Sequence, residues 1–153
     1  MAYKFYFAGC GNKSVEATIR ENECNRLLSW VNERKVIEER AANGYPTFVD
    51  SGAFSAYTKH LDINVDEYID WINRWHPYVE RYAAWDTIPS DKISPKESAE
   101  KTWANYQYMK TKVADPSKLV YCFHYGEDLD YLVQALESGL DYIALGGLAK
   151  KGK

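Results

Sequence analysis

The chain has 153 residues, of which 46% are apolar and 27% charged, a balance typical of one globular domain with a substantial core. The net charge of −3 excludes a broadly basic surface that would attract nucleic acid. It does not exclude a polynucleotide that is bound mainly by residues outside this sequence. The three cysteines show neither a disulfide pattern nor a zinc-ligand spacing. Because no apolar run reaches the roughly 18 residues of a membrane span and the N-terminus is too polar for a signal peptide, we expect a cytoplasmic protein.

Five short apolar runs predict β-strands, because each is rich in aromatic or β-branched residues and most end at glycine or another turn former. Apolar residues at helical spacing predict a helix between each pair of runs. We expect the strands over residues 4–9, 47–52, 81–87, 119–125 and 142–147, and the helices over residues 21–41, 65–76, 95–113 and 127–138.

This alternation predicts a single α/β domain over residues 1–153 with a parallel sheet. Two architectures fit the pattern. A flavodoxin-like sheet is complete with five strands, whereas a (β/α) barrel of TIM type has eight strands and about 250 residues. The chain stops at GGLAKKGK directly after a predicted strand, without a helix to cover that strand. We therefore favour an incomplete barrel, the N-terminal portion with about five strands.

Polar residues stand at the predicted strand ends, which is the edge where parallel α/β folds bind ligands. Asp50 and Asp86 each close an apolar run, so both carboxylates are expected to face one pocket. A partly buried carboxylate suits a general base, and the alternative for each is a turn-capping role. His124 is either a catalytic or a packed core residue. Gly146 and Gly147 indicate either close approach of a ligand to the backbone or tight packing.

Three segments of the chain resemble segments of the tRNA-guanine transglycosylases, also called queuine tRNA-ribosyltransferases, and they occur in the same order as in that family. Residues 49–54 (VDSGAF) are similar to V-D-S-G-G-F of that family, residues 85–89 (WDTIP) to F-D-E-C-T-P, and residues 142–149 (YIALGGLA) to Y-A-I-G-G-L-A. Phage and bacterial relatives that insert 7-deazaguanines into DNA share these segments. The resemblance covers roughly residues 45–152. It implies a TIM-type barrel, a guanine or 7-deazaguanine base as ligand, and tRNA or DNA as the polynucleotide partner.

The resemblance also implies a role for each matching residue. Asp50 would be the catalytic acid/base group beside the departing base, and Asp86 would read the N–H groups of the guanine edge. The substrate-binding residues would further include Ser51, Gly52, the stacking ring of Phe54, His124, and the backbone of Gly146, Gly147 and Leu148. His124 stands where the family has Gln, and Ala53 and Ser55 replace a Gly and a Gln, so base recognition is expected to differ.

The family's nucleophilic aspartate and its zinc site of three Cys and one His follow the GGLA segment. The resemblance therefore implies no metal or other cofactor in this chain and no complete base exchange by the chain alone. Base exchange passes through an oxocarbenium-like state, which a carboxylate nucleophile traps while a second acid protonates the base.

Two other functions fit the sequence. One is a non-catalytic nucleobase-binding or subunit-type module. The exposed sheet edges of a half barrel then predict an oligomer or a completing subunit. The other is an α/β enzyme that acts on a small anionic metabolite through Asp50, Asp86 and His124.

Overall fold

The computed structural model describes residues 4–8, 13–22, 24–140 and 142–148, and in them parallel strands alternate with helices. The strands are β1 (Arg26–Ser29), β2 (Thr47–Asp50), β3 (Arg81–Ala83), β4 (Leu119–His124) and β5 (Ile143–Gly146). The helices are α1 (Lys13–Glu21), α2 (Trp30–Ala42), α3 (Ala53–Thr58), α4 (Val65–Trp75), α5 (Pro95–Lys112) and α6 (Leu129–Glu137). Short 3₁₀ turns at His76–Tyr78 and Pro116–Lys118 precede β3 and β4.

The sheet has the strand order β1-β2-β3-β4-β5, and every neighbouring pair is parallel. Phe7 forms a further parallel bridge with Arg26, which extends the sheet by one position beside β1. Each βα unit thus lies next to the unit before it in the chain. This sequential order differs from the 2-1-3-4-5 order of a flavodoxin-like sheet, so the flavodoxin-like alternative does not describe the fold.

The sheet curls so that side chains from distant strands meet on its concave face. The rings of Phe48 in β2 and Tyr142 at the start of β5 lie 6.1 Å apart, and the ring of Tyr6 lies 5.7 Å from that of Phe48. In a flat sheet three strand spacings would separate β2 from β5 by about 14 Å. A small concave-face core accordingly forms from Phe48, Ala83 and Val120, with Tyr6, Leu27 and Ala144 packed against it.

The helices cover the convex face, where the larger core lies. Strand residues that alternate with those of the concave face are buried there against α2, α4 and α5, and they include Leu28, Val49, Tyr82, Leu119, Tyr121 and Phe123. Three of the helices begin at side-chain caps: Asn64 accepts from Asp66 N–H, Ser94 from Glu97 N–H, and Asp128 from Asp130 N–H. These caps define where each of the three helices begins.

The predicted helix over residues 21–41 was wrong in its first half. Residues 26–29 form β1, and α2 begins only at Trp30. The four residues of β1 pair with β2, and Leu28 is buried on the convex face. Pairing and burial thus override the helical spacing of the apolar residues. Helix α1, which precedes β1, was not predicted.

The other predicted elements are confirmed with shorter limits. The strands predicted over 47–52, 81–87, 119–125 and 142–147 correspond to β2 to β5, and the helices over 65–76, 95–113 and 127–138 to α4, α5 and α6. Of the strand predicted over residues 4–9, the structure has the bridge at Phe7, while Gly9 lies outside the described residues, as do Glu23 and Ala149. No helix in the described ranges is long and apolar enough to cross a bilayer.

Candidate active site at the carboxyl ends of the strands

Asp50 is the last residue of β2 and its side chain belongs to the concave face, like that of Phe48 two residues earlier. Its Oδ2 accepts a hydrogen bond of 3.1 Å from the Gly52 N–H. The Ser51 hydroxyl accepts from Ala53 N–H at 3.2 Å and donates to Asp86 Oδ1 at 2.8 Å. The turn after β2 therefore joins the ends of β2 and β3 by a direct side-chain contact.

Gly52 permits this turn because its φ of 81° lies in the left-handed region that favours glycine. A Cβ at position 52 would lie 2.6 Å from Ser29 Oγ and 2.8 Å from the Val31 side chain. The close approach of the β1–α2 junction therefore makes any larger residue at position 52 destabilising.

Asp86 lies three residues beyond β3, in a segment whose backbone is held by α5. Thr102 Oγ1 accepts from Thr87 N–H at 2.9 Å, and the Ser98 hydroxyl donates to the Thr87 carbonyl at 2.5 Å. The Asn105 amide donates to the Trp85 carbonyl at 3.1 Å. Three side chains of one helix thus fix the backbone on both sides of Asp86 and set the position of its carboxylate.

His124 ends β4 and lies between two carboxylates. Its Nε2 is 2.9 Å from Asp86 Oδ2, and its Nδ1 is 3.0 Å from Glu127 Oε1. Glu127 Oε2 also accepts a hydrogen bond of 3.0 Å from the His124 backbone N–H, so this carboxylate contacts both the ring and the backbone of His124. The Glu127 side chain is only 1% exposed and that of His124 9%, which makes both contacts well shielded from water.

Cys122 and Gly146 complete the site. The Cys122 sulfur lies 3.6 Å from His124 Nε2, because residues 122 and 124 project from the same face of β4. A Cβ at position 146 would lie 2.5 Å from His124 Cδ2 and 3.0 Å from the Cys122 sulfur. Glycine at position 146 therefore makes room for the imidazole ring. Gly147 has a φ of 71° and follows at the turn after β5.

The electrostatics of the site follow from burial and from the number of acidic groups. Burial, with a further contribution from the Asp86 charge, raises the pKa of Asp50 to about 6. Burial also raises the pKa of Cys122. For His124, burial lowers the pKa, but the hydrogen bonds to Asp86, Cys122 and Glu127 outweigh it and raise the pKa well above its usual value. The imidazole is accordingly protonated at neutral pH, whereas Asp50 exchanges a proton close to pH 6.

This arrangement can supply three kinds of chemistry. Asp50 is able to act as a general acid or base near neutral pH. The Asp86 oxygens each accept one hydrogen bond and keep a second lone pair for a ligand donor. One ligand atom each of Asp86, Cys122 and His124 lie within 4.8 Å of one another, a spacing that a metal ion can bridge.

The structure brings together most of the predicted site residues at one edge of the sheet, namely Asp50, Ser51, Gly52, Asp86, His124 and Gly146. Phe54 in the first turn of α3 is 61% exposed and Leu148 is 64% exposed, so neither packs onto the carboxylates. Glu127 and Cys122 were not predicted. Their signal was the spacing C-x-H-x-x-E, with Gly126 as a turn residue between the histidine and the glutamate.

Comparison of the chain with models of protein families, with curated proteins and with solved structures finds no match.

Proposed function

We propose that this chain forms the base pocket of a guanine transglycosylase-like protein that exchanges a base in tRNA or DNA, built on the N-terminal portion of a TIM-type barrel. The observation that carries this proposal is the junction of Asp50, Ser51 and Asp86 at neighbouring strand ends. These residues belong to two of the three segments that resemble the family. The third segment supplies Gly146, which lies against His124 in the same site.

The strand order supports the barrel part of the proposal. A TIM-type barrel is built from parallel strands in sequential order, with helices outside and side-chain layers inside. The sequential sheet, its convex helices and the contact of Phe48 with Tyr142 across the concave face agree with this plan.

The charges at the site favour an uncharged nucleobase over a small anionic metabolite. Asp50, Asp86 and Glu127 supply up to three negative charges, and His124 supplies one positive charge that two of these carboxylates already hold. An anion would meet net repulsion here, whereas the N–H groups of a guanine edge would find carboxylate acceptors. A purine edge read by buried acceptors is the usual form of base recognition in enzymes that bind a single base.

Asp50 is proposed as the group that protonates the departing base. A general acid works best when its pKa lies close to the working pH, and burial brings the pKa of Asp50 to about 6. Asp86, fixed by Ser51 and His124, is proposed to read the base edge. The sugar-trapping nucleophile is not assigned to any residue of this chain.

Binding of guanine or a 7-deazaguanine to the chelator-treated chain tests the proposal by calorimetry. We expect saturable binding, and we expect Asp86→Asn to weaken it at least tenfold because one or two charge-assisted hydrogen bonds are lost. Adenine, which presents a different edge, should bind more weakly than guanine. The matched control is Asp62→Asn, in an exposed segment before α4, which should bind as the wild type does. Equal affinity of Asp86→Asn and the wild type would remove the recognition role.

A further inference from the structure

The cluster of Asp86, Cys122 and His124 combines three different metal-ligating groups at one point of the sheet. Cys122 and His124 come from the concave face of β4, and Asp86 comes from the segment after β3. Their ligand atoms lie within 4.8 Å of one another. We propose that these three side chains bind a divalent transition-metal ion of the zinc class, with one coordination position left for water or a ligand.

The distance between the sulfur and the imidazole nitrogen suits a tetrahedral ion. Bonds of about 2.0–2.1 Å to nitrogen and about 2.3 Å to sulfur at tetrahedral angles place the two atoms roughly 3.6 Å apart. The Cys122 sulfur and His124 Nε2 are separated by 3.6 Å. Asp86 Oδ2 lies 2.9 Å from Nε2, closer than the roughly 3.4 Å of a tetrahedral site. A small outward rotation of the Asp86 carboxylate therefore admits the ion in place of the direct hydrogen bond.

The surroundings of the cluster orient the ligands as metal sites usually require. A ligating histidine commonly donates its other ring N–H to a carboxylate, which fixes the ring and its tautomer. Glu127 occupies this position on Nδ1 at 3.0 Å and directs Nε2 toward Asp86 and Cys122. Ser51 donates to Asp86 Oδ1 and leaves Oδ2 as the ligand atom. Two hydrogen bonds outside the three ligands thus aim both the imidazole and the carboxylate at one point.

The donor set indicates which ions bind. One thiolate, one imidazole and one carboxylate suit Zn²⁺ and Co²⁺ and do not suit Mg²⁺ or Ca²⁺, which prefer oxygen ligands alone. Binding releases the protons of the Cys122 thiol and of His124 Nε2 to solvent. The negative charge of Asp50 and Glu127 remains beside the ion and favours a divalent cation electrostatically.

Cobalt(II) titration of the chelator-treated chain tests this site. We expect one equivalent to bind, with a thiolate-to-cobalt charge-transfer band in the near ultraviolet and the intense visible bands of a tetrahedral ion, and Zn²⁺ to abolish both. Cys122→Ser should lose the near-ultraviolet band, whereas the control variant Cys10→Ser/Cys24→Ser should keep it. A wild-type spectrum without a thiolate band, or a band that persists in Cys122→Ser, would overturn the assignment.

A second variant distinguishes the metal ligands from the residue that orients one of them. Glu127→Gln should keep the cobalt spectrum but bind the ion roughly 10- to 100-fold more weakly, because the histidine loses its orienting carboxylate. An unchanged affinity would show that Glu127 has no part in the site. The metal and the proposed base compete for Asp86, so base binding is measured in the presence of a chelator. The outcome of the metal titration then does not affect the outcome of the base-binding test.

Discussion

Burial of the Asp50 carboxylate destabilises the folded chain whenever this carboxylate is ionised. Burial raises its pKa from 3.8 to about 6, and each pKa unit corresponds to about 1.4 kcal/mol. The folded state therefore binds the Asp50 proton more tightly than the unfolded state does. Stability supplied by this residue is greatest in acid and falls as the pH rises from about 4 to about 6.

Asp50→Asn should consequently stabilise the chain at pH 7.5, by about 2 to 3 kcal/mol, because the amide keeps an acceptor for the Gly52 N–H without the charge. The advantage should shrink as the pH falls toward 4. Urea unfolding at a series of pH values measures this dependence, with Asp62→Asn as an exposed control that should change stability by less than about 0.5 kcal/mol. A variant less stable than the wild type at pH 7.5 would contradict the assigned cost.

Some residues of the site were predictable from the sequence and others were not. Asp50 and Asp86 were predictable because each follows an apolar run, and chain direction alone brings such ends to one edge of a parallel sheet. The contact of Asp86 with His124 was not predictable, since it depends on the distance between the segment after β3 and the end of β4. Glu127 was read as the first residue of a helix, whereas α6 begins at Leu129 and leaves Glu127 free to turn back onto His124.

At the scale of single elements, the turn between β2 and α3 requires glycine for two separate reasons. Gly52 has a left-handed backbone, which costs another residue about 1–2 kcal/mol, and its Cβ position is already filled by Ser29 and Val31. Gly52→Ala should therefore lower the free energy of unfolding by about 2–4 kcal/mol in total. Gly44 is the matched control, because it has a φ of 74° and nothing within 4 Å of its Cβ position.

Gly44→Ala should cost only the backbone part of that energy, about 1–2 kcal/mol. Chemical denaturation of the two variants separates strain from steric overlap. Equal losses of unfolding free energy for Gly44→Ala and Gly52→Ala would mean that Ser29 and Val31 move away from the new methyl group without an energetic cost. Because the same turn positions Ser51 against Asp86, Gly52→Ala should also weaken guanine binding, while Gly44→Ala should leave it unchanged.

The elements differ in how far the sequence determined them. Helices α4 and α6 were predictable from a periodic apolar stripe and a terminating residue, and α5 from the prolines that bound it. Strand β1 was not, because Arg26–Ser29 runs without a turn former into the apolar start of α2. Its strand conformation comes from pairing with β2, a contact twenty-one residues away that local spacing does not encode.

For the whole molecule, alternation of strands and helices predicted a parallel sheet, but its curl depends on how side chains fill the concave face. Small residues there, Ala83 and Ala144, stand beside the large ring of Phe48, and this combination lets β2 and β5 approach. Such complementarity between non-adjacent strands has no local sequence pattern. The parallel pairing was therefore foreseeable from the alternation and the right-handed crossover rule, whereas the sequential strand order and the curvature were not.

The last two elements of the described chain expose apolar side chains that a domain interior would normally cover. Leu145 on the convex side of β5 is 60% exposed, and α6 exposes Leu129, Val133 and Leu136. Exposed apolar surface of this kind promotes association in water. We expect the chain to self-associate as its concentration rises and Leu136→Lys/Leu145→Lys to reduce the association, as measured by sedimentation velocity. Leu61→Lys, in the segment between α3 and α4, should behave as the wild type, and a wild-type chain that sediments as a monomer at every concentration would contradict the expectation.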